Sequence, residues 1–279
     1  MTWHETIEYI QSTPSFAEIV ENTYILPNLQ ANVERFRKSA EFRETLRLIK
    51  FYCPSPQPLL LDIGAGNGIA SLAFALEGFR VVSLEPDPSP MVGSGAIRQL
   101  MKTYTISSIE IIEAFGENLP FEANHFDIVY GRQVMHHAHN LPQFVAEAAR
   151  VLKKGGILFT TRDHVIKDEN DKQIFLQRHS LHKFYCGENA FRLAEYRLAF
   201  QNASLKIVSE LSPSASVINY DPWTKERLSQ VISRKFGSIL GNQHWVVDLA
   251  WQLLMFRQEH LPGKLYSFIT LKISVEEKV

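Results

Sequence analysis

The run Asp62-Ile63-Gly64-Ala65-Gly66-Asn67-Gly68 places three glycines at alternate positions behind an acid. Glycine lets a backbone turn tightly and approach a ligand closely. Glu85 follows about twenty positions after the first glycine, at the end of an apolar run, where a carboxylate can take both hydroxyls of a ribose. A second group is His136 and His137, in the stretch Tyr130 to His139. Histidine titrates near neutrality and is the usual base for an oxygen or nitrogen nucleophile that arrives protonated. A third group comprises Arg162, Asp163, His164, Arg178, His179, His182, Tyr185, Glu188 and Asn189. It reads either as a polar substrate wall or as a solvated loop and helix start. His164, His179, His182 and Glu188 offer metal ligands, but their spacing matches no zinc pattern, so no metal is expected.

These residues need a scaffold, and the chain spells one out. Leu59 to Ile63 reads as a buried strand running into the glycine turn, and Ile69 to Glu77 as a helix stopped by Gly78. Arg80–Leu84, Ser108–Glu113, Phe126–Tyr130 and Ile157–Thr161 read as further strands. Asn140 and Pro142 start a helix whose buried face carries Phe144, Ala148, Val151 and Leu152. This alternation predicts a mainly parallel sheet covered on both faces, with ligands at the carboxyl ends of its strands. Ahead of the Pro54-Ser55-Pro56-Gln57-Pro58 break, Asn28 to Tyr52 reads as one helix. Beyond residue 162, Glu188–Gln201 reads as a helix, and Leu205–Leu211 and Leu265–Ile273 as strands. Between those strands lie helical stretches near Trp223–Ile239 and Gln243–His260. The second is dense in Trp and aliphatic residues and is expected to pack on the sheet, with a substrate cap or a dimer contact as alternatives.

Composition narrows the class. The 279 residues suit one large α/β domain, and 45% hydrophobic with 21% charged is ordinary for a globular chain. Lys and Arg number 29 against 30 acids, so there is no basic field for nucleic acid. The opening MTWHETIEYI lacks the basic and apolar regions of a signal peptide, and no apolar run is long enough to span a bilayer. The two cysteines, Cys53 and Cys186, make neither a disulfide framework nor a metal pattern. The expectation is a cytoplasmic protein with a small-molecule substrate, no nucleic-acid or membrane partner, and room for a homodimer.

The glycine spacing bears on the ligand. Dinucleotide enzymes use G-x-G-x-x-G, whereas this chain has G-x-G-x-G with an acid two residues ahead. Asp62 suits an ammonium, directly or through water, and would be unwelcome beside a pyrophosphate. S-adenosyl-L-methionine has the ammonium and lacks the pyrophosphate. At this point LLLDIGAGNG, LEP at 84–86, GENLPFEANHFDIVY at 116–130 and LKKGGILF at 152–159 resemble the class I S-adenosylmethionine-dependent methyltransferases of the small-molecule, ubiquinone-biosynthesis-like type (type 11). The resemblance covers about residues 58 to 162. It implies a Rossmann-like α/β fold: a seven-stranded, mainly parallel sheet with an antiparallel last strand and helices on both faces. It also implies cofactor contacts from Gly64, Gly66, Glu85 and the Phe115-Gly116 backbone. Many relatives carry Asp where this chain has Phe115, which leaves the adenine to backbone atoms or Glu117. The full set of candidate cofactor residues is Asp62, Gly64, Ala65, Gly66, Gly68, Glu85, Pro86, Phe115, Gly116, Glu117 and Arg132.

Residues 131–137 are also similar to the S-R-D-x-x-x-H segment of phosphoethanolamine methyltransferases. By that match His137 takes the place of a catalytic histidine, and Gln133 replaces an aspartate, which argues against a cationic amine. His137 is the first candidate base, followed by His136 and His164. Tyr24, Gln133, His179 and Tyr185 are candidate substrate contacts. Residues 1–52 are expected to form a helical lid, and 58–279 a methyltransferase domain with cap insertions at about 163–203 and 221–262. The expected reaction moves a methyl group to an oxygen or nitrogen of a small polar or glycosidic metabolite. Two other classes fit the same loop: an inert binder of S-adenosylmethionine or S-adenosylhomocysteine, and a nucleotide-linked oxidoreductase.

Overall fold

Strand-forming runs account for the centre of the protein. The structure, a computed structural model, describes residues 1–179, 181–185 and 187–273. Its sheet contains β1 (Leu59–Ile63), β2 (Arg80–Leu84), β3 (Ile109–Ile112), β4 (Phe126–Arg132), β5 (Leu152–Ile166), β6 (Phe191–Arg192), β7 (Leu205–Leu211) and β8 (Lys264–Lys272). The order is β3-β2-β1-β4-β5-β8-β7, with the two-residue β6 beside β5. Neighbours from β3 to β5 pair in parallel, while β8 lies antiparallel between β5 and β7. The expected Rossmann-like sheet with its antiparallel last strand is what forms, with β6 as an addition.

The alternation of side chains sorts the core into two layers. Leu60, Val81, Ile128, Ile157 and Ile269 face one side, and Leu61, Val82, Val129, Leu158 and Phe268 the other. The first layer is covered by α3 (Leu29–Lys38), α4 (Ala40–Tyr52), α5 (Ile69–Leu76) and α6 (Ser94–Tyr104), which follow α1 (Trp3–Ser12) and α2 (Ala17–Asn22) in the chain. The second is covered by α7 (Leu141–Val151) and α10 (Leu193–Asn202); between these lie α8 (Glu169–Arg178) and α9 (His182–Tyr185). After β7 come α11 (Val217–Tyr220), α12 (Lys225–Phe236), α13 (Ser238–Gly241) and α14 (His244–His260).

Several boundaries differ from the sequence reading for identifiable reasons. The single helix over 28–52 is two, because Ser39 donates to the Phe36 carbonyl (2.7 Å) and accepts the Phe42 amide (3.0 Å), ending α3 and capping α4. The segment read as a lid divides. Phe36, Phe42 and Ile49 belong to the main core, whereas Ile7, Ile10, Val20 and Ile25 form a separate cluster with Val92 and Leu181. The first insertion also divides: β5 runs on to Ile166, and α10 lies beside α7 on the sheet, leaving only the stretch around α8 and α9 outside it. The expected packing of α14 on the sheet is corrected. Val247 is its one buried residue, and Trp245, Leu249, Leu253 and Phe256 are exposed along one side. Cys53 is a free, partly buried thiol, and Cys186 lies outside the described residues. No described helix is long and apolar enough to cross a membrane.

Candidate active site

The turn after β1 bends through three left-handed residues, Gly64 (φ +66°), Gly66 (+56°) and Gly68 (+83°). The Gly64 and Ala65 amides donate to the Leu84 carbonyl at 2.8 and 3.1 Å, tying the turn to the end of β2. The three glycines serve different ends. A Cβ on Gly64 would strike Val134 at 2.3 Å, and one on Gly68 would meet Ile97 at 2.8 Å. At Gly66 the nearest atom is the Val92 carbonyl oxygen at 3.9 Å, so backbone here borders free space. The Gly66 amide donates to Glu85 Oε2 (2.7 Å), and the Asp87 amide to Oε1 (3.0 Å). Each oxygen keeps a second lone pair, and that pair fits a ribose diol. Burial raises the Glu85 carboxyl to about 7.

Other candidates around the cradle are placed differently. Asp62 is buried beneath the turn and accepts the Ser71 hydroxyl at 2.6 Å, which in turn accepts that of Ser83 at 2.7 Å. It braces α5 against β1 and β2. Burial raises it to about 7 as well. Ala65 is buried, Pro86 half-buried, and Phe115 is 61% exposed. Gly116 is required by packing, since a Cβ would lie 2.3 Å from the Phe144 ring. Glu117 Oε1 accepts the His139 amide (2.9 Å) and its carbonyl the Gln143 side chain (3.2 Å), which ties it to the start of α7.

Arg132 is corrected. Its Nε and Nη2 donate to the buried Glu41 at 2.6 and 3.0 Å, and its Nη1 to Gln133 Oε1 at 2.9 Å. The guanidinium lies against the rings of Tyr24 and Phe36. Gln133, with φ +53° and its side chain committed to Arg132, is not a free substrate ligand. Tyr24 is buried, and its carbonyl accepts the Asn67 amide at 2.8 Å, so it anchors the N-terminal segment on the glycine turn and does not face an acceptor. Glu41 escaped the sequence reading, although an acid on the apolar face that also carries Phe42, Leu48 and Ile49 signals a buried partner.

The histidines gather at the ends of β4 and β5. His136 and His137 sit in a short 3-10 turn, Met135–His137, after β4. In β5, Arg162 adopts φ +60°, and the pairing with β8 shifts between Thr160 and Asp163. This bulge turns Asp163 inward. His136 is buried; its Nδ1 lies 3.1 Å from Asp163 Oδ1 and its Nε2 3.7 Å from Glu188 Oε2. Burial works against a charged ring, but the two carboxylates outweigh it and lift His136 to about 9. Enclosed between these two carboxylates, His136 is not open to an acceptor. His137 has its Nδ1 3.0 Å from the Gly187 carbonyl. A carbonyl only accepts, so Nδ1 carries the proton and Nε2 is left with its lone pair. About a third of this side chain is open, and burial together with the charge on His136 lowers its pKa.

Gly187 is positioned tightly, because a Cβ there would run into the Tyr185 ring at 1.9 Å. Tyr185 donates to Glu188 Oε1 (3.3 Å) and packs on Trp3 of α1. His179 Nδ1 lies 3.7 Å from the same oxygen. His164 has its Nδ1 2.6 Å from the Gly263 carbonyl and its ring beside His136; burial lowers its pKa well below the ordinary value. Spacing along the chain gave no hint that His136, His164 and Glu188 meet, yet their ligand atoms lie within 4.8 Å of one another.

Comparison with known proteins agrees with this arrangement. Residues 61–160 match the family described as methyltransferase domain. A glycine/sarcosine/dimethylglycine N-methyltransferase from Actinopolyspora halophila is 31% identical over 219 residues, 73% of this chain and 38% of that protein. A phthiotriol/phenolphthiotriol dimycocerosates methyltransferase from Mycobacterium leprae is 31% identical over 100 residues, 36% of this chain and 35% of that protein. The chain thus spans little more than a third of the length of these two relatives. Among solved structures, a Haemonchus contortus phosphoethanolamine N-methyltransferase with S-adenosylhomocysteine shares the fold at TM-score 0.59 and 17% identity, over 98% of this chain and 60% of that one.

The fold and the glycine turn are those of a class I, S-adenosylmethionine-dependent methyltransferase, and residues 61–160 match the methyltransferase domain of such enzymes. Its cofactor is S-adenosylmethionine, which supplies a methyl group activated on a sulfonium. Gly66 and Glu85, joined at 2.7 Å beside open space, are the candidates to hold it.

Proposed function

We propose that the protein transfers this methyl group to an oxygen or nitrogen of a small polar or glycosidic metabolite, with His137 receiving the acceptor's proton. The observation that carries the reading is the bond from His137 Nδ1 to the Gly187 carbonyl. It leaves Nε2 as a free base on a partly open ring at the carboxyl end of β4, the side on which ligands bind in such sheets. A lowered pKa keeps that ring neutral at pH 7. Methyl transfer from a sulfonium needs chiefly position, and a protonated acceptor needs a base besides.

By their names, the Actinopolyspora and Haemonchus enzymes act on small polar nitrogen compounds. In this chain Gln133 faces Arg132, so the position that carries an aspartate in the phosphoethanolamine enzymes brings no carboxylate to the acceptor. The test is a methyl-release assay against fractionated metabolite extracts, followed by mass identification of the product. A methylated alcohol, phenol or neutral amine is the expected result. If folded, cofactor-binding protein released no S-adenosylhomocysteine with any fraction, or methylated only macromolecules, the proposal would fail.

A further inference from the structure

Beyond the cradle, three side chains from three separate stretches converge: His136 after β4, His164 on β5, and Glu188 after α9. We propose that they form a binding site for one divalent transition-metal ion of the zinc type. The site stands apart from the identity of the acceptor and does not require His137 to be a base.

The orientation of the rings is the first argument. His136 Nδ1 is held by the Asp163 carboxylate at 3.1 Å, and His164 Nδ1 by the Gly263 carbonyl at 2.6 Å. Each leaves Nε2 as the nitrogen available to a ligand. Metal-binding histidines are fixed in this way, with the far nitrogen donating to a carboxylate or a backbone carbonyl that sets tautomer and direction.

Distances around Glu188 are the second argument. Its oxygens lie 3.7 Å from His136 Nε2, 3.9 Å from His137 Nε2 and 3.7 Å from His179 Nδ1. Hydrogen bonds between such atoms close to about 2.7–3.2 Å. Two ligands that share one ion, each about 2.0–2.2 Å from it, stand further apart than that. The ligand atoms of the three side chains lie within 4.8 Å of one another, so binding would draw them closer around the ion.

Satisfaction and charge are the third argument. Asp163 Oδ2 and His179 Nδ1 are buried without a hydrogen-bond partner among the described residues. Buried polar atoms are ordinarily paired, and two enclosed carboxylates facing a ring of imidazoles favour a cation. Two histidines and a glutamate are also the protein ligands of a common catalytic zinc site, which keeps its fourth position for water or substrate. Imidazole nitrogen selects zinc, cobalt or nickel over magnesium and calcium.

The test uses the full chain after treatment with a chelator. Co2+ is titrated in and followed by its visible absorption, and Zn2+ is then added as competitor, with calorimetry for stoichiometry. The expected result is saturable binding of one ion per chain, displaced by Zn2+ and not by Mg2+. Glu188→Gln and His164→Gln should each abolish the saturable phase, with circular dichroism to show that the fold is kept. Asp163→Asn should weaken affinity about tenfold to a hundredfold, as loss of an orienting partner does. His125→Gln, at an exposed ring outside the cluster, should bind as the wild type does. Absence of saturable Co2+ or Zn2+ binding by the folded wild type would overturn the proposal. So would undiminished binding in folded His164→Gln or Glu188→Gln. The wild-type titration decides even if a variant does not fold.

Discussion

The Gly66 amide donates to Glu85 Oε2 across 2.7 Å, so the glycine turn and the acid at the end of β2 form one unit before any ligand arrives. Glu85 therefore holds the turn, and its remaining lone pairs are the ones proposed to take a ribose. Glu85→Ala should raise the dissociation constant for S-adenosylhomocysteine by about 1.5–3 kcal/mol, the worth of hydrogen bonds to a charged group. Calorimetry on the folded variant checks this. An unchanged constant would remove Glu85 from the cofactor site.

Protonation of the same carboxylate should appear in the pH dependence. Glu85 and Asp62 lie at about 7 in the folded chain, against ordinary values of 4.5 and 3.8. Between those limits the folded chain holds protons that the unfolded chain has released. By linkage the free protein loses stability as pH rises through this window and changes little from these groups above it. Ribose hydroxyls donate to the carboxylate and favour its ionised form. Cofactor affinity should therefore climb towards pH 7 and level off beyond it, with proton release on binding below that point. Calorimetry in buffers of different ionisation heat measures both, and a flat profile from about pH 5.5 to 8.5 would contradict the assignment.

Two glycine substitutions separate backbone strain from ligand space. Gly66 and Gly78 both have positive φ, and a Cβ at either would meet no close neighbour, the nearest atom lying 3.9 Å away at Gly66. Either substitution should cost about 1–2 kcal/mol of stability through the left-handed backbone. Only Gly66→Val should also abolish cofactor binding, because its side chain fills the space where backbone meets ligand. Gly78→Ala, past the end of α5, should bind normally. Equal cofactor affinity in the two folded variants would show that the turn does not touch the cofactor.

Glu41 and Arg132 form a buried pair that joins α4 to the end of β4. Glu41→Ala leaves the guanidinium enclosed without its carboxylate and should cost about 3–5 kcal/mol. Denaturant unfolding measures it. A loss below about 1 kcal/mol, the scale of an exposed pair, would mean that water reaches Arg132 freely.

His137 and His136 should respond differently to removal. His137→Ala should lower turnover by about a hundred- to ten-thousand-fold with an alcohol or phenol acceptor, and leave cofactor affinity near wild type. With a thiol or another acceptor that is already deprotonated the effect should shrink, since positioning is then what remains. His136→Ala should instead destabilise the fold, because Asp163 and Glu188 lose the ring between them. Wild-type turnover of folded His137→Ala across neutral pH, with an alcohol acceptor, would exclude the base.

Local pattern was sufficient for the scaffold and the cradle. Short apolar runs marked β1, β2 and β4. The alternate glycines marked a turn that needs left-handed backbone, and Glu85 stood at a strand end, all properties of neighbouring residues. Asn140 was legible as the cap of α7 for the same reason. What the sequence did not determine is which distant groups meet. Glu41 reaches Arg132 across 91 positions because α4 and β4 contribute to the same core layer, and Asp163 reaches His136 across 27 because β5 lies beside β4 and bulges at Arg162. Spacing along the chain carries no information about strand order or a bulge, so the convergence of His136, His164 and Glu188, and the capture of Arg132 and Gln133 away from any ligand, were decided by the tertiary structure alone.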